Sequence, residues 1–225
     1  MTVAFDPESR GEALIPCAAA IGVFGGTFNP LHFGHLRAIA VVKAQLRLER
    51  VLVVPAGRPP HRPEPEVSPD HRLAMVQRAL EDMPGLECDD REIRRTGSSY
   101  TILTLEELRQ ELGERPLCLI LGLDTFLDFP SWHRWTEILE NAHIVVMNRP
   151  GWKLPSPLPD WWLDAAQENP DSLYRRFGGY VYCIQVPVID IASSLIRERL
   201  SHAADVSDAI PRSVLDYIRA HQIYV

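Results

Sequence analysis

Two histidines, His32 and His35, stand three residues apart after the string Gly25-Gly26-Thr27-Phe28-Asn29-Pro30. On a helix that spacing puts both rings on one face, where they could offer two imidazole N–H donors to one anion. The paired glycines let the backbone approach a ligand without a Cβ in the way. The unpaired N–H groups of a helix start add positive potential without a lysine. A phosphate chain fits this combination, held by Gly25, Gly26, Thr27, His32 and His35.

Other phosphate and metal sites have different signatures. The dinucleotide fingerprint needs G-x-G-x-x-G and an acid at the end of the second strand, but the glycines here are Gly22, Gly25 and Gly26 and that strand ends Val53-Val54-Pro55. A P-loop needs a lysine, and none occurs between Ile21 and Val42. The histidine pair could be half of a metal site, but no third carboxylate or cysteine ligand lies nearby in sequence, so no protein-held metal is expected. The bland alternative is a tight turn with two capping histidines.

Three later stretches hold further polar groups after apolar runs. His61 and Arg62 follow Pro59-Pro60 in a stiff loop of four prolines, which could equally be a solvated surface. Gly122 and Asp124 follow the most apolar strand, where Asp124 could simply cap a helix. Ser193, Ser194 and Arg197 open a late helix. Trp132 and Trp135 would ordinarily be core residues.

The elements that must position these groups alternate along the chain. Strands are expected at Ala18 to Phe24, ended by Gly25-Gly26, then at Val51 to Val54, Leu86 to Ile93 (an edge strand), Pro116 to Gly122 (central), His143 to Met147 and Tyr180 to Val186. Helices are expected at Phe33 to Leu48, from Ser68-Pro69 to near Pro84, at Thr101 to Leu112, Ser193 to His202 and Pro211 to His221, with a short one between Phe126 and Trp135. Gly151 to Gly179 reads as an irregular excursion with one short helix near Trp161 to Gln167. This alternation implies an α/β fold with a doubly wound, mostly parallel sheet and C-terminal helices, in which ligands bind at the carboxyl ends of strands. A leader, residues 1–18, precedes a single domain spanning residues 19–225.

Composition narrows the partners. With 23 basic and 30 acidic residues the formal charge is −7, so the overall field favours neither nucleic acid nor an anionic membrane. No apolar run reaches a membrane span and the first ten residues do not resemble a signal peptide, so a cytoplasmic location is expected. Cys17, Cys88, Cys118 and Cys183 form no C-x-x-C pair and read as buried thiols. His71, His133, His143, His202 and His221 match no motif and are expected to pack or lie at the surface.

The whole string G-G-T-F-N-P-L-H-F-G-H resembles the G-x-F-x-P-x-H-x-G-H signature of the nucleotidylyltransferase superfamily. Val53 to Arg62, Leu119 to Trp132 and Asp190 to Arg197 are similar to the further motifs of bacterial nicotinate-mononucleotide adenylyltransferases, in the same order. The resemblance covers about residue 20 to the end. In the last motif, Ala192 and Ser194 stand where that family has a serine and a threonine.

The resemblance implies a Rossmann-like nucleotidylyltransferase fold and adenylyl transfer from ATP to nicotinate mononucleotide, with Mg²⁺ arriving with ATP. It implies catalytic roles for His32, His35 and Arg197. ATP would be bound by Gly25, Gly26, Thr27, Phe28, His32, His35, Gly122, Asp124, Ser193, Ser194 and Arg197, with Gly122 and Asp124 at the ribose. The mononucleotide would meet Gly26, Thr27, His61, Arg62, Tyr100, Thr101 and Trp132, with Trp132 stacked on the pyridine ring. Competing readings are another transferase of the H-x-G-H type, with a nicotinamide mononucleotide or phosphopantetheine acceptor or acting as a cytidylyltransferase, and a non-catalytic nucleotide-binding module. A homo-oligomer stays open.

Overall fold

The structure is a computed structural model and describes residues 19–59, 65–148, 157–187 and 189–224. The leader, His61, Arg62 and the start of the excursion, residues 151–156, lie outside the described residues.

The first half comprises β1 (Ile21–Gly26), α1 (Phe33–Gln45), β2 (Arg50–Pro55), α2 (Pro69–Leu80), β3 (Leu86–Cys88), α3 (Arg91–Arg94) and α4 (Thr101–Leu112). The second half comprises β4 (Leu117–Gly122), α5 (Leu123–Leu127), α6 (Trp135–Asn141), β5 (His143–Asn148), α7 (Asp160–Ala165), β6 (Ala166–Gln167), β7 (Val181–Gln185), α8 (Ser193–Ser201) and α9 (Arg212–Ala220). The strands form one sheet in the order β3-β2-β1-β4-β5-β7-β6, and each observed pairing is parallel. β4 is central, as its apolar run requires.

Alternation along the strands divides the core into two layers. Val51 and Val53 of β2, Cys118 and Ile120 of β4, and Val145 of β5 face one layer with the buried sides of α1, α2, α8 and α9. Leu52, Val54, Leu119, Leu121, Ile144 and Val146 face the other, with α4, α6 and α7. Helices on both faces leave the strand ends as the place where backbone and polar side chains meet solvent.

Three local expectations change. Gly25 and Gly26 do not turn but extend β1, paired with Val54 and Pro55, and the Ala56 N–H donates to the Gly26 carbonyl at 2.8 Å. The turn is therefore made by Thr27 to Pro30. The strand expected over Leu86 to Ile93 stops at Cys88 because Asp89 accepts the Arg91 backbone N–H at 3.0 Å and starts the short α3. The excursion contributes a strand as well as a helix: β6 pairs with β7 through only two residues, too few to show a period.

Candidate active site

The chain passes from β1 outward to β2 and β3, then returns to place β4 on the other side of β1. Such a reversal opens a crevice at the carboxyl ends of the two strands. It puts Gly25 and Gly26 at the end of one strand and Gly122 at the end of its neighbour, with the two strands paired as far as Val23 and Leu119.

His32 is the N-cap residue of α1, with φ −139° and ψ 170°. Its ring lies on that of His35 with centroids 3.7 Å apart and planes 29° from parallel. Gly34 makes the pairing possible, since a Cβ there would sit 2.9 Å from Cε1 and Nδ1 of His32. The glycine of the H-x-G-H string therefore serves the first histidine. His35 also packs near Phe24, with centroids 6.0 Å apart, and in a T-shaped arrangement with Phe28, with centroids 5.6 Å apart. Phe28 is buried and has a left-handed φ of 47°.

The two glycines that end β1 have different surroundings. A Cβ on Gly26 would lie 2.7 Å from the Phe28 ring, so that glycine accommodates a side chain. A Cβ on Gly25 would approach nothing closer than the Val54 carbonyl at 4.0 Å, so Gly25 alone faces open space suited to a ligand. The start of α1 also offers fewer backbone donors than its sequence suggests. Phe33 N–H donates to the Ala209 carbonyl at 2.9 Å, and His35 and Leu36 N–H turn back to the His32 carbonyl. The imidazoles accordingly carry more of any anion binding.

The turn from Thr27 to Pro30 is held by its carbonyls. Arg72, wholly buried, donates from Nη1 to Thr27 O at 2.8 Å and from Nη2 to Gly57 O at 3.1 Å. Burial lowers its pKa, and the nearby Tyr224 and Glu92 raise it. From α8, Arg197 Nη1 donates to Asn29 O and Ser193 Oγ to Pro30 O, each at 3.0 Å. The Tyr224 hydroxyl donates to Asn29 Oδ1. Ser193 and one arm of Arg197 thus serve the loop, where the resemblance alone would send them to a phosphate.

Gly122 and Asp124 line a cavity with Gly34, Met147, Val186 and Ile189. Asp124 lies in the first turn of α5, whose N-cap residue is Gly122. Its carboxylate folds back over Gly122, where a Cβ would meet Oδ1 at 2.5 Å. The cavity therefore joins the start of α1 to the end of β4.

In the layer of α4 and α6, Tyr100 precedes α4 and packs on His133 with centroids 4.3 Å apart. Trp132 is half-buried against Phe129, whereas Trp135 joins Phe126, Phe129 and Trp161 in an aromatic cluster. Tyr100, Thr101, Trp132 and His133 come together on this side, and His133 was not distinguished by sequence.

Sequence reasoning also missed Arg72, Glu92, Ser99 and Tyr224. Arg72 had a signal: it falls on the apolar stripe of α2 with Met75, Val76 and Leu80, where a charge must find internal partners. Cys118 is a buried free thiol as expected, Cys88 and Cys183 are unpaired but only partly buried, and Cys17 lies outside the described residues; burial pushes the three described thiol pKa values upward, to about 12 for Cys88 and Cys118. Among the described residues no helix is long and apolar enough to cross a membrane.

The switch point of this parallel sheet therefore carries a stacked histidine pair beside a crevice. Residues 23–199 match the family model described as cytidylyltransferase-like. Two curated relatives carry the name "probable nicotinate-nucleotide adenylyltransferase". That from Escherichia coli O139:H28 is 40% identical over 206 residues, covering 90% of this chain and 97% of the relative. That from Klebsiella pneumoniae is 39% identical, covering 90% and 95%. The chain belongs to the cytidylyltransferase-like family and, within it, to the nicotinate-nucleotide adenylyltransferases. The fold is shared with the Plasmodium falciparum nicotinic acid mononucleotide adenylyltransferase solved with NaAD, at TM-score 0.70 and 18% identity over 92% of this chain and 98% of that one.

Proposed function

We propose that this chain transfers the adenylyl group of ATP to nicotinate mononucleotide, forming nicotinate adenine dinucleotide and pyrophosphate in NAD biosynthesis. The observation that carries the reading is the stacked His32–His35 pair at the open end of β1, beside the Gly122–Asp124 cavity. The 5′-phosphate of the mononucleotide attacks the α-phosphorus of ATP. A new P–O bond forms there, the bond to the bridging oxygen of the β-phosphate breaks, and pyrophosphate leaves with the electron pair.

A phosphate monoester has a second pKa near ~6 and is largely dianionic at neutral pH, so the nucleophile needs no general base. What remains is to align two anions and stabilise charge on the α-phosphate and the leaving group. In this reading His32 and His35 donate N–H groups along the triphosphate. The open face of Gly25 and the backbone of Thr27 and Phe28 receive phosphate oxygens. The second arm of Arg197 and the Ser194 hydroxyl complete the cage, and Gly122 and Asp124 hold the ribose. Asp124 is the only acidic side chain among these groups, so Mg²⁺ belongs to the MgATP substrate, carried on phosphate oxygens and water. The acceptor lies toward Tyr100, Thr101 and Trp132, with His61 and Arg62 as its phosphate-side partners.

Pyrophosphate release measured with ATP and a panel of acceptors tests this reading. Turnover with nicotinate mononucleotide well above that with nicotinamide mononucleotide or phosphopantetheine is expected. Nucleotide binding with no pyrophosphate release from any acceptor would favour a non-catalytic module.

A further inference from the structure

Between β2 and α4 the backbone is tied together by one hydroxyl. Ser99 Oγ accepts from Gly57 N–H at 3.1 Å and from Arg58 N–H at 3.0 Å. In the reverse direction the Ser99 N–H donates to Arg58 O at 2.9 Å. Beside Ser99 stands Glu92, a buried acid that accepts from Thr104 Oγ1 at 2.8 Å. A serine hydroxyl has two lone pairs, so its accepting capacity is fully used. The approach is close: a Cβ on Gly57 would lie 2.2 Å from the Glu92 carbonyl oxygen and 3.1 Å from Ser99 Oγ.

The position of this knot gives it meaning. Gly57 and Arg58 leave the carboxyl end of β2, and Ser99 immediately precedes Tyr100 at the start of α4. Gly57 also connects inward, since its carbonyl accepts from Arg72, which holds Thr27 at the end of β1. The groups assigned to ATP, in contrast, lie across β1 toward β4 and α8.

We propose that Ser99 is a positioning residue for the acceptor subsite, fixing the turn that carries Tyr100 against the backbone that leaves β2. The proposal rests on the reading of nicotinate mononucleotide as acceptor. Losing the hydroxyl loosens one substrate's loops and leaves the other's in place, so the effect divides between the two Michaelis constants. A general loss of packing has no reason to do so.

The test is steady-state kinetics of the full chain with both substrates varied. S99A is expected to raise KM for nicotinate mononucleotide about tenfold, the scale of an unsatisfied buried donor, with KM for ATP within about twofold. S99T, which keeps the hydroxyl, should stay within about threefold of the parent. T104V removes the other hydroxyl beside Glu92, one that bonds neither Gly57 nor Arg58, and should reduce thermal stability without the KM split. S99V, the isostere of S99T without the hydroxyl, gives the selective rise independently should S99A fold poorly. An unchanged acceptor KM in S99A and S99V, equal rises in both KM values, the same loss in S99T as in S99A, or the same split in T104V overturns the proposal. Parent enzyme that turns over no nicotinate mononucleotide refutes the acceptor reading itself, whatever the variants do.

Discussion

Arg72 holds Thr27: a guanidinium with no exposed surface donates 2.8 Å to that carbonyl, across 45 residues of sequence. With its other arm on Gly57, it joins the ends of β1 and β2 from beneath. Truncation to Arg72→Met leaves two carbonyls without their donor, and Arg72→Lys cannot reach both in one plane. Urea unfolding should show Arg72→Met destabilised by about 2–5 kcal/mol, the scale of two lost buried hydrogen bonds to a charged group. A variant as stable as the parent would mean that the Thr27 turn does not need this support.

His35→Ala should lower kcat by on the order of 10²-fold, the usual effect of removing one donor to developing charge. KM for ATP should change less. Turnover near that of the parent would remove His35 from the mechanism.

Gly34→Ala isolates the stacking of the two rings. The added methyl meets the His32 ring at 2.9 Å, so the pair must separate while both imidazoles remain. Alanine otherwise favours a helix by roughly 1 kcal/mol over glycine. The expected result is a kcat at least about tenfold lower in a protein whose melting temperature is little changed. Full activity would show that the face-to-face arrangement is dispensable.

Arg197→Ala should affect both kinetic constants. One arm holds the Asn29 carbonyl at 3.0 Å, and the other is assigned to a phosphate of ATP. KM for ATP should rise and kcat should fall, each by about tenfold. A change in KM alone would confine Arg197 to ground-state binding and deny it a role in shaping the loop.

His143 sets an acid limit to stability. The ring is wholly buried in β5, accepts from Tyr180 N–H at Nδ1 and faces the Arg176 carbonyl with Nε2 at 3.0 Å. It is therefore held neutral, and burial lowers its pKa from 6.5 to about 4. The unfolded chain binds the proton first as pH falls, so stability present above pH 6.5 is lost progressively toward pH 4. The loss should approach ~3 kcal/mol, read as unfolding free energy against pH. His143→Gln should flatten that slope; an equal slope in both proteins would assign the acid sensitivity to other groups.

The local pattern alone determined much of this protein. Apolar runs ended by glycine or proline gave most strand positions, and helical spacing put His32 and His35 on one face, because these depend on neighbours within a turn or two. The tertiary structure decided what those groups touch. That β1 lies against β4, that Ala209 takes the Phe33 N–H, that Ser193 and Arg197 reach the Asn29-Pro30 carbonyls, and that Ser99 closes on Gly57 all depend on sheet order. Their partners are 42 to 176 residues apart, as in Gly57 with Ser99 and Phe33 with Ala209. No short-range periodicity encodes such pairings. Arg72 lies between the two cases: its place on an apolar stripe marks it as buried, but only the packed strands say that it holds Thr27.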